Sequence, residues 1–349
     1  MNNLNDYKFM NLAINLAKKN IGITGKNPSV GCVITLNNNI IATGITQENG
    51  QPHAEVNAIN KIKDKSILSN ATLYVTLEPC IKTKENNCCD YIIKNKIKRV
   101  VVAMSDPNPD ITNKSIKKLA DNNIEVLTNI LYEEACKLNH IFTHIQKNNK
   151  PYITLKLATS IDGKIATKNF NSKWISNQQS LKYAHYLRSI NDAILIGGKT
   201  FHIDQPKLTC RIKGLSNYSP KIILMSNNIN INKIKNYSDK QLFLISKNIV
   251  NLNNIISIKN NSNFLNELYN NGVKTILVEG GSNVATFFLA NNYIDKLVII
   301  RGSKIIGNDG ISSFGALNYK EINEINDIFK LQNIIRYDNN IVSTYIKLC

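Results

Sequence analysis

His53, Glu55, Cys80, Cys88 and Cys89 are the residues whose types could do chemistry together. One imidazole and two thiolates hold zinc tetrahedrally and leave a fourth position for water, whose pKa the metal lowers from about 16 to about 7. Hydroxide is then available at neutral pH. A carboxylate that is not a ligand can collect the water's proton and pass it to a departing amine. In Pro52-His53-Ala54-Glu55 that carboxylate is Glu55. The thiolates come from Glu78-Pro79-Cys80 and from Cys88-Cys89. Seven residues separate Cys80 from Cys88 and eight separate it from Cys89, so spacing alone leaves the third ligand open. A lone His followed by Glu says little, and cysteine often serves as a small core residue. The joint pattern, with His53 at one helix start, Cys80 at the end of a strand and another cysteine at the next helix start, is what favours a metal.

Those residues need elements to carry them. Over 6–19, Tyr7, Met10, Leu12, Ala13, Leu16 and Ala17 recur at helical spacing. The run Asn27-Pro28-Ser29-Val30-Gly31 breaks the helix and feeds strand 32–35, and the turn at 37–39 returns the chain along 40–43 as a hairpin. Residues 54–62 read as a helix with His53 at its start, 73–77 as a buried strand ending at Cys80, and 90–94 as a helix beginning near Cys88. Positive helix ends stabilise thiolate and metal-bound hydroxide. Strand 99–104, helix 115–122, strand 124–127 and one long helix over 131–146 complete an alternating α/β half.

A chain of 349 residues with 43% hydrophobic content exceeds one ordinary core and predicts two domains. Lys147-Asn148-Asn149-Lys150-Pro151 has linker composition, dividing 1–146 from 152–349. The sequence has no apolar run of membrane-spanning length, and its first residues lack signal-peptide character, so a soluble cytoplasmic protein with no membrane partner is expected. Seven cysteines, an odd number, argue against a disulfide framework. The net charge of +18 would attract phosphate. Lys, Asn and Ile are abundant everywhere, however, including the loops at 37–39 and 260–263. The charge therefore reads as a general compositional bias, and it does not by itself point to nucleic acid.

The second half offers strands at 152–157, 193–196, 221–225, 242–245, 275–278 and 297–300, helices at 178–188, 264–271 and 284–291, and a closing strand at 341–348. After strand 275–278 comes Glu279-Gly280-Gly281. A glycine pair there either only allows the turn or presents backbone N–H groups to a phosphate. The full GxGxxG fingerprint is missing, so a Rossmann assignment is not supported.

Taken in order, Asn27-Pro28-Ser29-Val30-Gly31-Cys32-Val33, Pro52-His53-Ala54-Glu55-Val56, Tyr74-Val75-Thr76-Leu77-Glu78-Pro79-Cys80, Asp106-Pro107-Asn108-Pro109, Tyr152-Ile153-Thr154-Leu155-Lys156-Leu157, Ser160-Ile161-Asp162-Gly163-Lys164, Ser172-Lys173-Trp174-Ile175, Leu208-Thr209-Cys210-Arg211 and Val278-Glu279-Gly280-Gly281 resemble the bifunctional pyrimidine deaminase/reductase family of riboflavin biosynthesis. The resemblance covers nearly the whole chain. It implies a cytidine-deaminase-like α/β/α domain followed by a dihydrofolate-reductase-like α/β domain, with Zn2+ and NADPH as cofactors and a phosphorylated pyrimidine as substrate. It favours a homodimer or larger assembly.

Residue by residue, the resemblance implies that His53 and Cys80 bind zinc, that Glu55 shuttles the proton, and that Asn27 and the Gly31 neighbourhood hold the pyrimidine. The family's intercysteine spacing of eight would select Cys89. The register to Lys98-Arg99-Val100 instead selects Cys88, because a loop absorbs a one-residue deletion whereas a helix shifted by one residue turns its side chains by about 100°. Cys88 is preferred. In the second half Ala158, Trp174, Thr200, Asp204, Ser226, Gly281, Ser282 and Asn283 would contact NADPH, and Ser172, Arg188, Leu208, Arg211 and Glu279 the substrate. A guanidinium fork suits phosphate, and the alternative for Trp174 is core packing. Asp162 and Lys164 either line the pocket or form a turn.

The family's Ser-His pair and Gly-Arg/Lys-Thr-Pro-Pro run are replaced by Ile81-Lys82-Thr83-Lys84-Glu85-Asn86-Asn87. Three readings follow. The first is a bifunctional enzyme that deaminates a diaminopyrimidinone ribosyl phosphate and then reduces its ribose with NADPH. The second is a half-active homologue that retains only reduction. The third is a nucleic-acid deaminase, against which the second half argues.

Overall fold

The computed structural model describes residues 4–25, 27–81, 87–228, 234, 237, 242–249, 255–324 and 327–348. The chain divides into two compact units, Met1–Asn149 and Lys150–Cys349. No helix among the described residues is long and apolar enough to cross a membrane. Segment 82–86 of the altered intercysteine loop lies outside the described residues.

The first unit runs α1 (Leu4–Ala17), β1 (Gly31–Leu36), β2 (Asn39–Ile45), α2 (Ala54–Asn60), β3 (Thr72–Val75), α3 (Cys88–Lys94), β4 (Arg99–Val102), α4 (Lys114–Asp121), β5 (Glu125–Thr128), α5 (Tyr132–Leu138) and α6 (His140–Asn148). Its sheet has the order β2-β1-β3-β4-β5. β1 runs antiparallel to β2 and β3, while β3, β4 and β5 are parallel. The hairpin turns on Asn37 and Asn38, both at positive φ (50° and 62°), the conformation a two-residue turn needs to match strand twist.

The two faces of this sheet are set by alternation along β1. A side chain on Gly31 would lie 1.9 Å from the Ala13 carbonyl of α1. Gly44, which pairs with Cys32, packs against Ala54 and Ala58 of α2. Gly31 therefore faces α1 and Cys32 faces α2, which gives the helix-sheet-helix layering. At the far edge of α1, Asp6 receives both Nη atoms of Arg99 (2.8 and 3.0 Å) and the Tyr74 hydroxyl (2.9 Å).

The end of this unit departs from expectation. The single helix over 131–146 is two helices, α5 and α6, joined at Asn139 (φ −98°, ψ 13°). The backbone N–H and the side-chain amide of Asn139 both donate to the Ala135 carbonyl (3.0 and 3.2 Å), and the helix direction changes there. Lys147 and Asn148, expected in the linker, complete α6.

The second unit runs β6 (Tyr152–Thr159), β7 (Lys164–Ala166), α7 (Gln178–Ser189), β8 (Ala193–Gly197), α8 (Gly198–Asp204), β9 (Lys221–Met225), β10 (Leu242–Ser246), β11 (Ile255–Lys259), α9 (Phe264–Asn270), β12 (Thr275–Val278), α10 (Ser282–Ala290), β13 (Lys296–Arg301), β14 (Ile311–Ser312), β15 (Phe329–Tyr337) and β16 (Asn340–Lys347). The main sheet has the order β11-β10-β9-β8-β12-β6-β13-β16-β15, and β7 pairs with β14 as a separate two-stranded strap. Strands β11 through β13 are parallel, and β16 and β15 add an antiparallel edge. The expected closing strand is thus internal, and β15 forms the edge. After β8 the chain steps outward through β9, β10 and β11, then returns to place β12 between β8 and β6. Such a reversal opens a crevice at the carboxyl ends of the strands, where open α/β sheets bind ligands.

Candidate active sites

Three elements bring the first cluster together. His53 is the N-cap residue of α2, Cys80 follows β3, and Cys88 opens α3. α3 is fixed by Asn87, whose side chain accepts from Asp90 N at 2.9 Å. His53 Nδ1 lies 3.1 Å from Cys88 Sγ and 3.5 Å from Cys80 Sγ, and the donor atoms all fall within 4.8 Å of one another. The Cys88 N–H also points at Cys80 Sγ (3.3 Å). The hydrogen bond from Cys88 outweighs burial and, with His53, holds the Cys80 thiol down at about 4. That same hydrogen bond and burial push Cys88 well up. One imidazole, one thiolate and a second sulfur at its side form a donor set suited to zinc.

Cys89 turns away. Its sulfur approaches the Ser115 carbonyl at 3.8 Å within the apolar core. One helical step separates the two cysteines, and that step is the rotation the register argument relied on.

Glu55 is buried in the first turn of α2. Burial and the neighbouring Cys80 push its carboxyl up to about 7. Cys32 lies behind it, with burial and the Glu55 charge both raising its thiol. Asn27 is half-buried and donates to the Gly50 carbonyl at 3.2 Å. Gly31 lies in β1 with its Cα packed against α1.

Sequence reasoning passed over Glu78. Its buried carboxylate accepts from Asp106 N (3.0 Å), Asn113 N (2.9 Å), Ser115 N (3.1 Å) and Ser115 Oγ (2.9 Å). It thereby anchors the 106–115 segment to the end of β3, just before Cys80. Glu78→Gln should destabilise the first unit by about 1–3 kcal/mol, because an amide offers donors where donors already point. Thermal melting and amide exchange at residues 113–115 check this, and unchanged protection there would refute it.

The second unit holds a cleft of about 510 Å³ at the carboxyl ends of β6, β8, β9 and β12. Ala158, Ser172, Arg188, Thr200, Asp204, Leu208, Glu279, Gly281, Ser282 and Asn283 all line it. Three expected residues do not. Trp174 is 70% exposed at positive φ (64°), which rules out its alternative as a core residue. The Ser226 hydroxyl closes a turn onto Asn228 (3.0 Å), and Arg211 is exposed. Asp162 and Lys164 belong to the strap: the Asp162 carboxylate accepts from the N–H groups of Ile306 (3.1 Å) and Gly307 (2.8 Å), and Lys164 Nζ reaches Ser312 Oγ (3.0 Å). Asp162 thus holds a turn, and Lys164 opens β7.

At the floor of the cleft Arg188 does not present a free fork. Nε and Nη2 grip both Glu279 oxygens (2.8 and 2.9 Å), and Nη1 reaches the Thr209 carbonyl (3.2 Å). Lys156 Nζ adds a second cation at 3.1 Å. Burial opposes ionisation of Glu279, but Lys156 and Arg188 override it and hold the carboxyl at about 2. The triad carries a net positive charge, and Lys156 is the member that sequence reasoning missed. A lysine inside the apolar strand Tyr152-Ile153-Thr154-Leu155-Lys156-Leu157 was its signal, since buried lysines require a partner. α8 was missed altogether, although it carries Thr200 and Asp204.

Gly280 and Gly281 differ in purpose. A side chain on Gly280 would strike Val284 at 2.5 Å, whereas one on Gly281 would meet only Thr200 Oγ1 at 3.5 Å. Gly280 is needed for packing. Gly281 keeps the first turn of α10 open to the cleft.

Comparison with known proteins matches both units. Residues 4–104 fit the cytidine and deoxycytidylate deaminase zinc-binding region, and residues 151–343 fit the RibD C-terminal domain. The riboflavin biosynthesis protein RibD of Aquifex aeolicus is 37% identical over 334 residues, 91% of this chain and 92% of that one. The structure of RibD from Acinetobacter baumannii superposes with a TM-score of 0.89 at 28% identity, covering 99% of each chain. A Thermotoga maritima structure described as a diaminohydroxyphosphoribosylaminopyrimidine deaminase/5-amino-6-(5-phosphoribosylamino)uracil reductase superposes at 0.87 with 31% identity, again over 99% of each chain. With the zinc-binding region first, the reductase domain second and full-length relatives spanning both, the chain belongs to the RibD family of bifunctional deaminase/reductases of riboflavin biosynthesis.

Proposed function

We propose that residues 1–146 deaminate 2,5-diamino-6-(5-phosphoribosylamino)pyrimidin-4-one and that residues 152–349 use NADPH to reduce the ribosyl group of the product to a ribityl chain. The observation that carries this reading is the convergence of His53, Cys80 and Cys88 beside a buried Glu55. We assign zinc to those three residues. When bound, zinc would supply Lewis acidity to a water molecule there. Glu55 does the proton work. A carboxyl poised at about 7 can accept a proton near neutral pH and deliver it to the departing exocyclic amine. Asn27 lies among the candidates for holding the pyrimidine.

In the second unit the N–H groups of Gly281, Ser282 and Asn283 begin α10 and suit a diphosphate. Thr200 and Asp204 line the same cleft from α8. Lys156 and Arg188, fixed by Glu279, hold positive charge where an electron-rich phosphoribosylamino substrate would lie. Leu208, buried at positive φ (51°), closes the wall and excludes water from the hydride path.

The Cys residues among those described are all free thiols, which suits a reducing cytoplasm. Edge strand β15 exposes Leu331 (46%) and Ile334 (56%), which supports the homo-oligomer.

The test supplies the diamino substrate with and without NADPH and follows ammonia release and nicotinamide absorbance. Ammonia should appear in both cases and NADPH loss only after it. No ammonia from zinc-loaded protein would leave a reductase alone. Zinc content of single variants tests the ligand assignment: Cys88→Ser should lose the metal and Cys89→Ser should keep it, and the reverse pattern would overturn the choice of Cys88.

A further inference from the structure

Three cations line the reductase cleft. Lys156 and Arg188 are held by Glu279, whereas Lys199 has no carboxylate partner among the described residues. Its ammonium sits 3.7 Å from the centroid of the Phe170 ring instead. Phe170 also lines the cleft, is 40% exposed, and adopts positive φ (61°), an unusual conformation for a bulky residue. The two residues belong to different segments, the loop after β7 and the first turn of α8. Their contact bridges the cleft wall beside Thr200, whose hydroxyl faces Gly281.

An exposed cation on a ring face is weakly held, and a charge-assisted hydrogen bond to phosphate is stronger. We propose that Lys199 is a phosphate-binding residue of the reductase cleft, parked on Phe170 until a phosphate ester takes the ring's place. The inference rests on the nicotinamide-dinucleotide reading above for one source of that phosphate, and the substrate's ribose 5-phosphate is the other. Exchange of partner frees the loop that carries Phe170 and, four residues on, Trp174. Because Trp174 is the sole tryptophan and is exposed, its fluorescence reports the exchange.

The experiment measures binding of NADP+, NAD+ and ribose 5-phosphate to the full chain by calorimetry and by Trp174 fluorescence, in wild type, Lys199→Met, Lys199→Arg and Phe170→Leu. Lys199→Met should weaken at least one probe about tenfold, the scale of one charged contact, and Lys199→Arg should restore most of it. Loss for NADP+ alone identifies the 2′-phosphate. Equal loss for NADP+ and NAD+ identifies the diphosphate, and loss for ribose 5-phosphate alone identifies the substrate. Phe170→Leu should tighten the same probe, because the competing ring is gone. If no probe weakens in Lys199→Met, or if Phe170→Leu weakens binding as Lys199→Met does, the contact is a structural clasp and the proposal falls. Should wild type bind neither dinucleotide, the NADPH reading fails by itself, and the ribose 5-phosphate arm still decides the role of Lys199.

Discussion

Glu55→Gln is expected to abolish deamination while leaving zinc in place. The amide keeps the shape of the buried side chain and removes the proton acceptor, so ammonia release should fall about 10²–10⁴-fold, the usual contribution of a positioned general acid/base. His53, Cys80 and Cys88 hold their geometry through two helix starts and a strand end. Removing that charge also relieves the burial that pushes the carboxyl up to about 7, so the fold should not weaken. Metal analysis and an ammonia assay on the same sample decide the matter. Loss of zinc together with activity would make Glu55 part of the metal site, and retained ammonia release would remove it from the proton path. NADPH consumption on pre-deaminated substrate should persist, which separates the two units functionally.

Glu279→Ala should be the most damaging single change in the second unit. It leaves the Lys156 ammonium and the Arg188 guanidinium facing each other, with side chains only 13% and 14% exposed. Breaking a buried ionic group by removing one partner costs about 3–5 kcal/mol. Denaturant unfolding should show that loss, with reductase turnover gone as well. A Lys156→Met/Glu279→Gln pair, which removes one charge of each sign, should recover much of the stability without the turnover. If it recovers both, the triad is structural only. The pH dependence follows with a definite sign. The carboxyl, held at about 2 against an ordinary 4.5, adds stability above its ordinary range and loses it as pH falls from about 4.5 towards 2. Acid unfolding of the second unit should therefore begin in that window, and Glu279→Gln should flatten it.

The sequence was most readable where local signals agreed with tertiary demand. Apolar periodicity placed α1, and the Asn-rich turn placed the hairpin of β1 and β2. Register argument along α3 separated Cys88 from Cys89, because a helix converts one residue of offset into a different direction. Legibility failed where a side chain overruled the pattern. Asn139 marks where a periodic helix divides, its N–H and its side-chain amide both donating to the Ala135 carbonyl. α8 begins within Gly197-Gly198, a pair that reads as a break, and is too short to show apolar periodicity. β15, with Lys330, Gln332, Asn333 and Arg336, lacks the alternation of a half-buried strand because it forms the sheet edge. Arg188 shows a different failure. Residue type suggested a phosphate fork, but only the fold shows Glu279 occupying it. The Lys199 contact with Phe170 joins residues 29 positions apart, and no local rule anticipates it.

Gly31 and Cys32 are neighbours that serve opposite faces of one sheet, the first admitting the Ala13 carbonyl of α1 and the second facing α2, where Glu55 lies. A single insertion or deletion within β1 would exchange them, driving a thiol into α1 and opening a void behind the proton carrier. Across descendants of this chain, length changes in the region should therefore gather at the Asn37-Asn38 turn and avoid the strand itself. Homologue alignments of the hairpin become a record of which side of the strand evolution could least afford to move.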